Sequence, residues 1–84
     1  MDYIDLAERV GAAADLDDQP RGRFDMEMEF GDAEYALIIA VVETRKSLPA
    51  DLLTEVRRAA NVGYSDSSRD LLLAAVDRQN AGHR

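Results

Sequence analysis

Apolar residues recur every third or fourth position along most of this chain, and every second position along one short stretch. Tyr3, Leu6, Ala7, Val10 and Ala13 fall at i, i+3, i+4, i+7 and i+10, one stripe that predicts a helix over residues 2–16. Asp2 is placed to cap it, Asp5 suits the positive end of its dipole, and Gly11 weakens its middle. The polar run Asp17-Asp18-Gln19-Pro20-Arg21-Gly22, with its Pro and Gly, ends the helix.

Residues 23–30 alternate strictly: Phe24, Met26, Met28 and Phe30 against Asp25, Glu27 and Glu29. A period of two predicts a half-buried strand, and Gly31-Asp32 a turn after it. In residues 35–43, Ile38, Ile39, Val41 and Val42 are β-branched and favour a strand, whereas Ala33, Glu34, Ala36 and Ala40 suit a helix. The tight turn and the alternating neighbour favour the second strand of a hairpin spanning 23–43. Ser47 as cap, Pro49 in the first turn and the stripe Leu52, Leu53, Val56, Ala59, Ala60 predict a helix over 47–62, stopped by Gly63. Ser65-Asp66-Ser67-Ser68 offers caps for a last helix over 66–80, with Leu72, Ala75 and Val76 inward. Gly82-His83-Arg84 reads as a frayed tail.

The predicted architecture is one small α+β domain, residues 1–84, in the order α-β-β-α-α, with the hairpin packed against helices. By strand parity, Phe24, Met26, Met28 and Phe30 share the core face with Tyr35, Leu37, Ile39 and Val41. The other face sets Asp25, Glu27 and Glu29 beside Ala36, Ile38, Ala40 and Val42, acidic along one strand and greasy along the next. Carboxylates two apart on a strand stand roughly 6.6 Å from each other, where they repel by only about 0.6 kcal/mol in water. Such a stripe is cheap to keep and attracts Arg or Lys through charge-assisted hydrogen bonds.

Charge sharpens this picture. Residues 1–43 carry twelve carboxylates and three Arg, while residues 44–84 carry seven Lys/Arg and five carboxylates. The net charge of −7 repels nucleic acid and favours basic partners, although acidity also serves to keep a small protein soluble. There is no cysteine, so disulfides and thiolate metal sites are excluded. The acidic N-terminus lacks the features of a signal peptide, and the longest apolar run, Tyr35 to Val42, is far short of the ~20 residues that span a bilayer as a helix. The expectation is a cytoplasmic protein with no membrane partner.

Candidate chemistry is thin. Asp15-Leu16-Asp17-Asp18 begins like a calcium loop, but Gln19, Pro20 and Met26 stand where that loop needs an oxygen ligand, Gly and Glu. His83 is the sole histidine and sits near the end of the chain. Asp25, Glu27 and Glu29 have neither a histidine nor a Gly-rich phosphate loop beside them. No catalytic, cofactor or metal residues are assigned, and an enzyme is not expected. Acyl carrier proteins are also small and acidic, with a modifiable serine in an Asp-Ser-Leu motif. Asp66-Ser67-Ser68 supplies only Asp-Ser, late in the chain and after two expected strands.

The stretch Ser47-Leu48-Pro49-Ala50-Asp51-Leu52-Leu53-Thr54-Glu55-Val56-Arg57-Arg58-Ala59-Ala60, followed by Gly63-Tyr64-Ser65 and a helix from about Ser67, looks like the ribbon-helix-helix regulators and antitoxins, over about residues 41–80. The resemblance implies a dimer whose paired strands enter the DNA major groove, with Thr44, Arg45 and Lys46 as the groove readers. Glu43-Thr44-Arg45-Lys46-Ser47 is polar throughout, where the family's strand alternates.

The function expected first is non-enzymatic: an acidic module that binds and regulates or inhibits a basic protein partner, for instance a nucleic-acid-binding one. Antitoxins, immunity proteins and phage inhibitors of bacterial defence share this size and charge. Asp25, Glu27 and Glu29 would carry the electrostatics, with Asp32 and Glu34 at the rim and Ile38 and Val42 as apolar contacts. A second copy of the chain, pairing hairpin edges about a two-fold axis, is the other partner that the hairpin allows. The remaining alternatives are the DNA-binding regulator and a purely structural dimerisation module.

Overall fold

The computed structural model describes residues 3–82. It contains five helices: α1 Tyr3–Ala13, α2 Asp18–Glu29, α3 Ala33–Glu43, α4 Ala50–Gly63 and α5 Asp66–Ala81. No strand occurs among the described residues, so the class is all-α. The expected α+β class, its α-β-β-α-α order and the hairpin over 23–43 are overturned. The positions of Asp2 and His83, expected as cap and tail, lie outside the described residues.

The alternation at 24–30 folds as helix because it also contains two i, i+4 pairs. Phe24 and Met28 turn towards the core, while Met26 and Phe30 turn out. Met and Glu are good helix formers, and Asp and Glu are depleted in strands. The β-branched run 38–42 is helical for a different reason. α3 packs against α1, α2 and α5, so an all-round apolar helix is what its position demands. Ala36, Leu37, Ala40 and Val41 have no exposed surface.

Gly31-Asp32 is a turn, but between helices. Gly31, at φ 85°, donates its N–H to Met28 O (3.2 Å), and Asp32 N–H donates to Glu27 O (2.8 Å). These two bonds form a Schellman stop for α2. Asp32 then caps α3 by accepting from Tyr35 N–H at 3.0 Å. The short link makes α2 and α3 antiparallel neighbours, with Arg23 near Glu43 (3.9 Å) at their far end.

α4 buries Leu52, Leu53, Val56, Ala59 and Ala60, and α5 buries Leu72, Ala75 and Val76 against it. Pro49 occupies the N-cap position of α4, and Ser47 lies ahead of the helix. Two polar side chains close helix ends inside the fold. Arg21 donates to Gly11 O (3.0 Å) and Ala14 O (3.3 Å) at the end of α1. Buried Gln79 donates to Val41 O and accepts from Leu48 N–H, both at 2.8 Å.

On the surface, Arg9 of α1 forks onto Glu55 of α4 (2.7 and 2.9 Å) and also meets Asp5 (3.0 Å). The fork holds the Glu55 carboxyl below its ordinary range, chiefly through the hydrogen bond from Arg9. A depressed folded-state pKa contributes stability above the unfolded value, about 4.3, and loses it as pH falls through the lower folded value. Arg9→Ala is therefore expected to lower the urea midpoint at neutral pH, with the gap from wild type closing below about pH 4. Urea titrations at both pH values check this.

Candidate functional site

The seven residues expected to form the docking face are distributed differently by the helices. Residues two apart on a helix point about 160° from each other, so Glu27 is split from Asp25 and Glu29. Asp25 and Glu29 are exposed, four apart on one flank of α2, whereas Glu27 is half-buried. Asp32 and Glu34 are exposed at the start of α3. Ile38 and Val42, expected as exposed apolar contacts, are half-buried and pack against the core. The acidic ribbon with a greasy neighbouring strand is therefore absent, as is the strand edge through which two copies were expected to pair.

Its place is taken by the corner between α2 and α3. Met26 is 46%, Phe30 79% and Tyr35 47% exposed. Strand parity places all three in the core, and the helices turn all three outward; the i, i+4 spacing of Met26 and Phe30 is the signal that these two share a helix face. On α2 the exposed Asp25 and Glu29 share one flank and the half-buried Glu27 takes the other, while Asp32 and Glu34 stand exposed at the start of α3. Between Phe24 and Thr44 the sequence contains no Lys or Arg. No ion pair joins these five carboxylates to another described residue. Elsewhere, Asp5, Asp17, Glu43, Glu55, Asp66, Asp70 and Asp77 are all paired with arginines. Glu8, Asp15, Asp18 and Asp51 also lack an ion pair among the described residues, but they are scattered along the chain, whereas the five at the corner fall within ten residues of one another.

Beside the corner, Asp32, Glu34, Tyr35, Ile38, Tyr64, Ser65 and Ser68 line a cleft of about 270 Å³. Tyr64 is fixed there. Its Oη donates to Glu34 O at 2.8 Å, and its ring meets Tyr3 edge-on, with centroids 5.6 Å apart. Burial, followed by the nearby Glu34 carboxylate, pushes the Tyr64 phenol well above its ordinary range, so it stays neutral.

The ribbon-helix-helix resemblance does not survive, because that fold requires a strand leading into Leu48-Pro49, whereas residues 44–49 are an irregular link between α3 and α4 and no strand occurs among the described residues. The expected groove readers have structural partners instead. Thr44 Oγ1 accepts from Asp15 N–H (3.0 Å) and donates to Lys46 O (2.8 Å). Arg45 N–H donates to Asp15 O, and its guanidinium pairs with Asp17, each at 2.8 Å. Lys46 is exposed.

The would-be calcium loop is interrupted at Asp18, which begins α2. No group of three or more His, Cys, Asp or Glu able to hold a metal ion occurs among the described residues. No helix among them is long and apolar enough to cross a membrane. The helical fold removes the objection that strands raised to an acyl carrier; the missing Leu after Asp66-Ser67 still departs from that motif. Compared with protein-family models, curated proteins and solved structures, the chain matches none.

Proposed function

We propose that this chain is a non-enzymatic protein-binding module whose α2–α3 corner docks on a basic surface of another protein and thereby regulates or blocks it. One observation carries the reading: the exposed apolar side chains of Met26 and Phe30 lie in a stretch, residues 25–43, that holds six carboxylates and no Lys or Arg, and of those six only Glu43 has an arginine partner among the described residues. Apolar anchors within a charged rim are the anatomy of a recognition patch. Covering Phe30 recovers roughly 1.5–3 kcal/mol of hydrophobic free energy, and the carboxylate rim speeds the approach of a positive partner.

The test is comparative capture from a lysate of the source organism, using wild type, Met26→Ser/Phe30→Ser and Asp25→Asn/Glu29→Gln. Wild type is expected to retain a basic protein that both variants release and that elutes with rising salt. All the substituted positions are exposed, so circular dichroism should remain that of the folded helical domain. Identical sets of retained proteins for all three forms, empty sets included, would show that this corner binds nothing. Retention of an acidic protein would exclude the electrostatic part of the reading. Retention of a second copy of the chain would make the corner a dimer contact.

A further inference from the structure

We infer that the cleft beside the corner seats a single arginine side chain of the basic partner; this rests on the proposed docking at the α2–α3 corner and names what the adjoining hollow recognises. Size is the first argument. At about 270 Å³ the cleft falls just below the ~300–1,000 Å³ typical of small-molecule sites, and it suits one long side chain. Chemistry is the second. Two carboxylates, Asp32 and Glu34, stand with two phenol rings, Tyr35 and Tyr64, and an aliphatic side chain, Ile38. A planar cation on an apolar stem satisfies all three kinds of wall: ion pairing at the acids, stacking on the rings, and stem contact at the isoleucine.

Pre-organisation is the third argument. Asp32 is oriented by accepting from Tyr35 N–H through Oδ1, which keeps Oδ2 for a second donor. Tyr64 is anchored by its bond to Glu34 O and by the edge contact with Tyr3, so that wall does not have to be ordered on binding. The first turns of α3 and α5 border the cleft, and helix N-termini by themselves favour anions. Two such ends amount to about one positive charge, against two full negative charges on Asp32 and Glu34. Asp66 in the first turn of α5 tilts the balance further. Arg69, the cation on that turn, is paired with Asp66 (3.3 Å) and Asp70 (3.9 Å). The cleft is therefore set for a cation, and the flat rings select guanidinium over ammonium.

The experiment is an NMR titration of the ¹⁵N-labelled chain with N-acetyl-arginine amide, its neutral isostere N-acetyl-citrulline amide, and N-acetyl-lysine amide. Arginine amide is expected to shift the amides of Tyr35, Ser65 and Ser68, citrulline amide is expected to leave them in place, and Glu34→Gln is expected to weaken the arginine response about tenfold. The Glu34 carboxylate is exposed and its backbone carbonyl is unchanged in the variant, so the fold is retained. Equal shifts with citrulline overturn the ionic seat, and equal shifts with lysine overturn the choice of arginine. Shifts confined to Asp25 and Glu29 on α2, or no shift at all, overturn the seat. The corner reading is decided separately, by whether the α2 variants lose the captured protein.

Discussion

Gly11→Ala is expected to destabilise the domain by about 1–2 kcal/mol, lowering its melting temperature by roughly 5–15 °C. Helix propensity alone predicts the opposite sign, since replacing a mid-helix glycine with alanine gains about 0.5–1 kcal/mol. The difference lies in what α1 faces. The ring of Phe24, from α2, lies over Gly11, and a Cβ there would collide with Phe24 Cζ and come within 2.6 Å of Cε1. Phe24 is the one buried residue of α2, and its ring fills this notch on α1 while the helix itself packs along α3. Pushing the ring out forfeits part of the roughly 1.5–3 kcal/mol from its burial. It also disturbs Arg21, whose guanidinium stands 5.5 Å above the ring while closing the end of α1. Gly22→Ala supplies an internal control. Nothing lies within 4 Å of a Cβ at that position, so the same substitution should stabilise by about 0.5–1 kcal/mol. Paired thermal melts read both signs. If Gly11→Ala melts above wild type, the notch is not a constraint. Phe24→Leu, which shortens the intruding side chain, should make the Gly11→Ala penalty smaller in a double-mutant cycle.

Gln79→Leu should cost more, about 2–4 kcal/mol, despite placing an apolar residue in an apolar setting. The amide of Gln79 is the only polar side chain among the buried residues described, and both of its ends are in use. Nε2 satisfies Val41 O, one of the α3 carbonyls that the ending helix leaves without an i+4 donor. Oε1 takes the N–H of Leu48, whose side chain is wholly buried just before α4. Leucine removes both partners at once, and each deserted backbone group costs about 1–3 kcal/mol, partly offset by the greasier side chain. Gln79→Glu separates the two roles. Its ionised form cannot donate to Val41, so that variant should be least stable above the ordinary carboxylate range, about pH 4.3, and recover as pH falls and the acid protonates. Urea midpoints across pH, with hydrogen exchange at the Leu48 amide, distinguish these effects. An unchanged midpoint for Gln79→Leu would mean that the two bonds carry no weight.

Much of the burial pattern was legible in the helical stripes. Leu6, Ala7 and Val10 on α1 are buried, as are the five stripe residues of α4 and Leu72, Ala75 and Val76 on α5. Gln79 continues the α5 stripe at the same spacing, so its position was visible even though its polarity concealed its role. The middle of the chain misled for a physical reason. Phe24, Met26, Met28 and Phe30 satisfy a period of two and, taken in pairs, a spacing of four, and the pattern alone does not choose between them. The β-branched run of α3 expresses a weak local preference that packing on three sides overrides. Gly31-Asp32 suits a hairpin and a helix-helix corner equally well. The candidate site inherited that ambiguity. Asp25, Glu29, Asp32 and Glu34 remain exposed in either reading, whereas Met26 and Phe30 exchange places with Ile38 and Val42.

The back-to-back stop and start at Gly31 and Asp32 have a thermodynamic corollary. Every bond that makes the reversal is already closed in the free protein, so its apex offers a finished die rather than a strap to be tightened. Calorimetry of complex formation should accordingly give a heat-capacity decrement matched to the surface dried alone, without the larger increment that accompanies folding on contact.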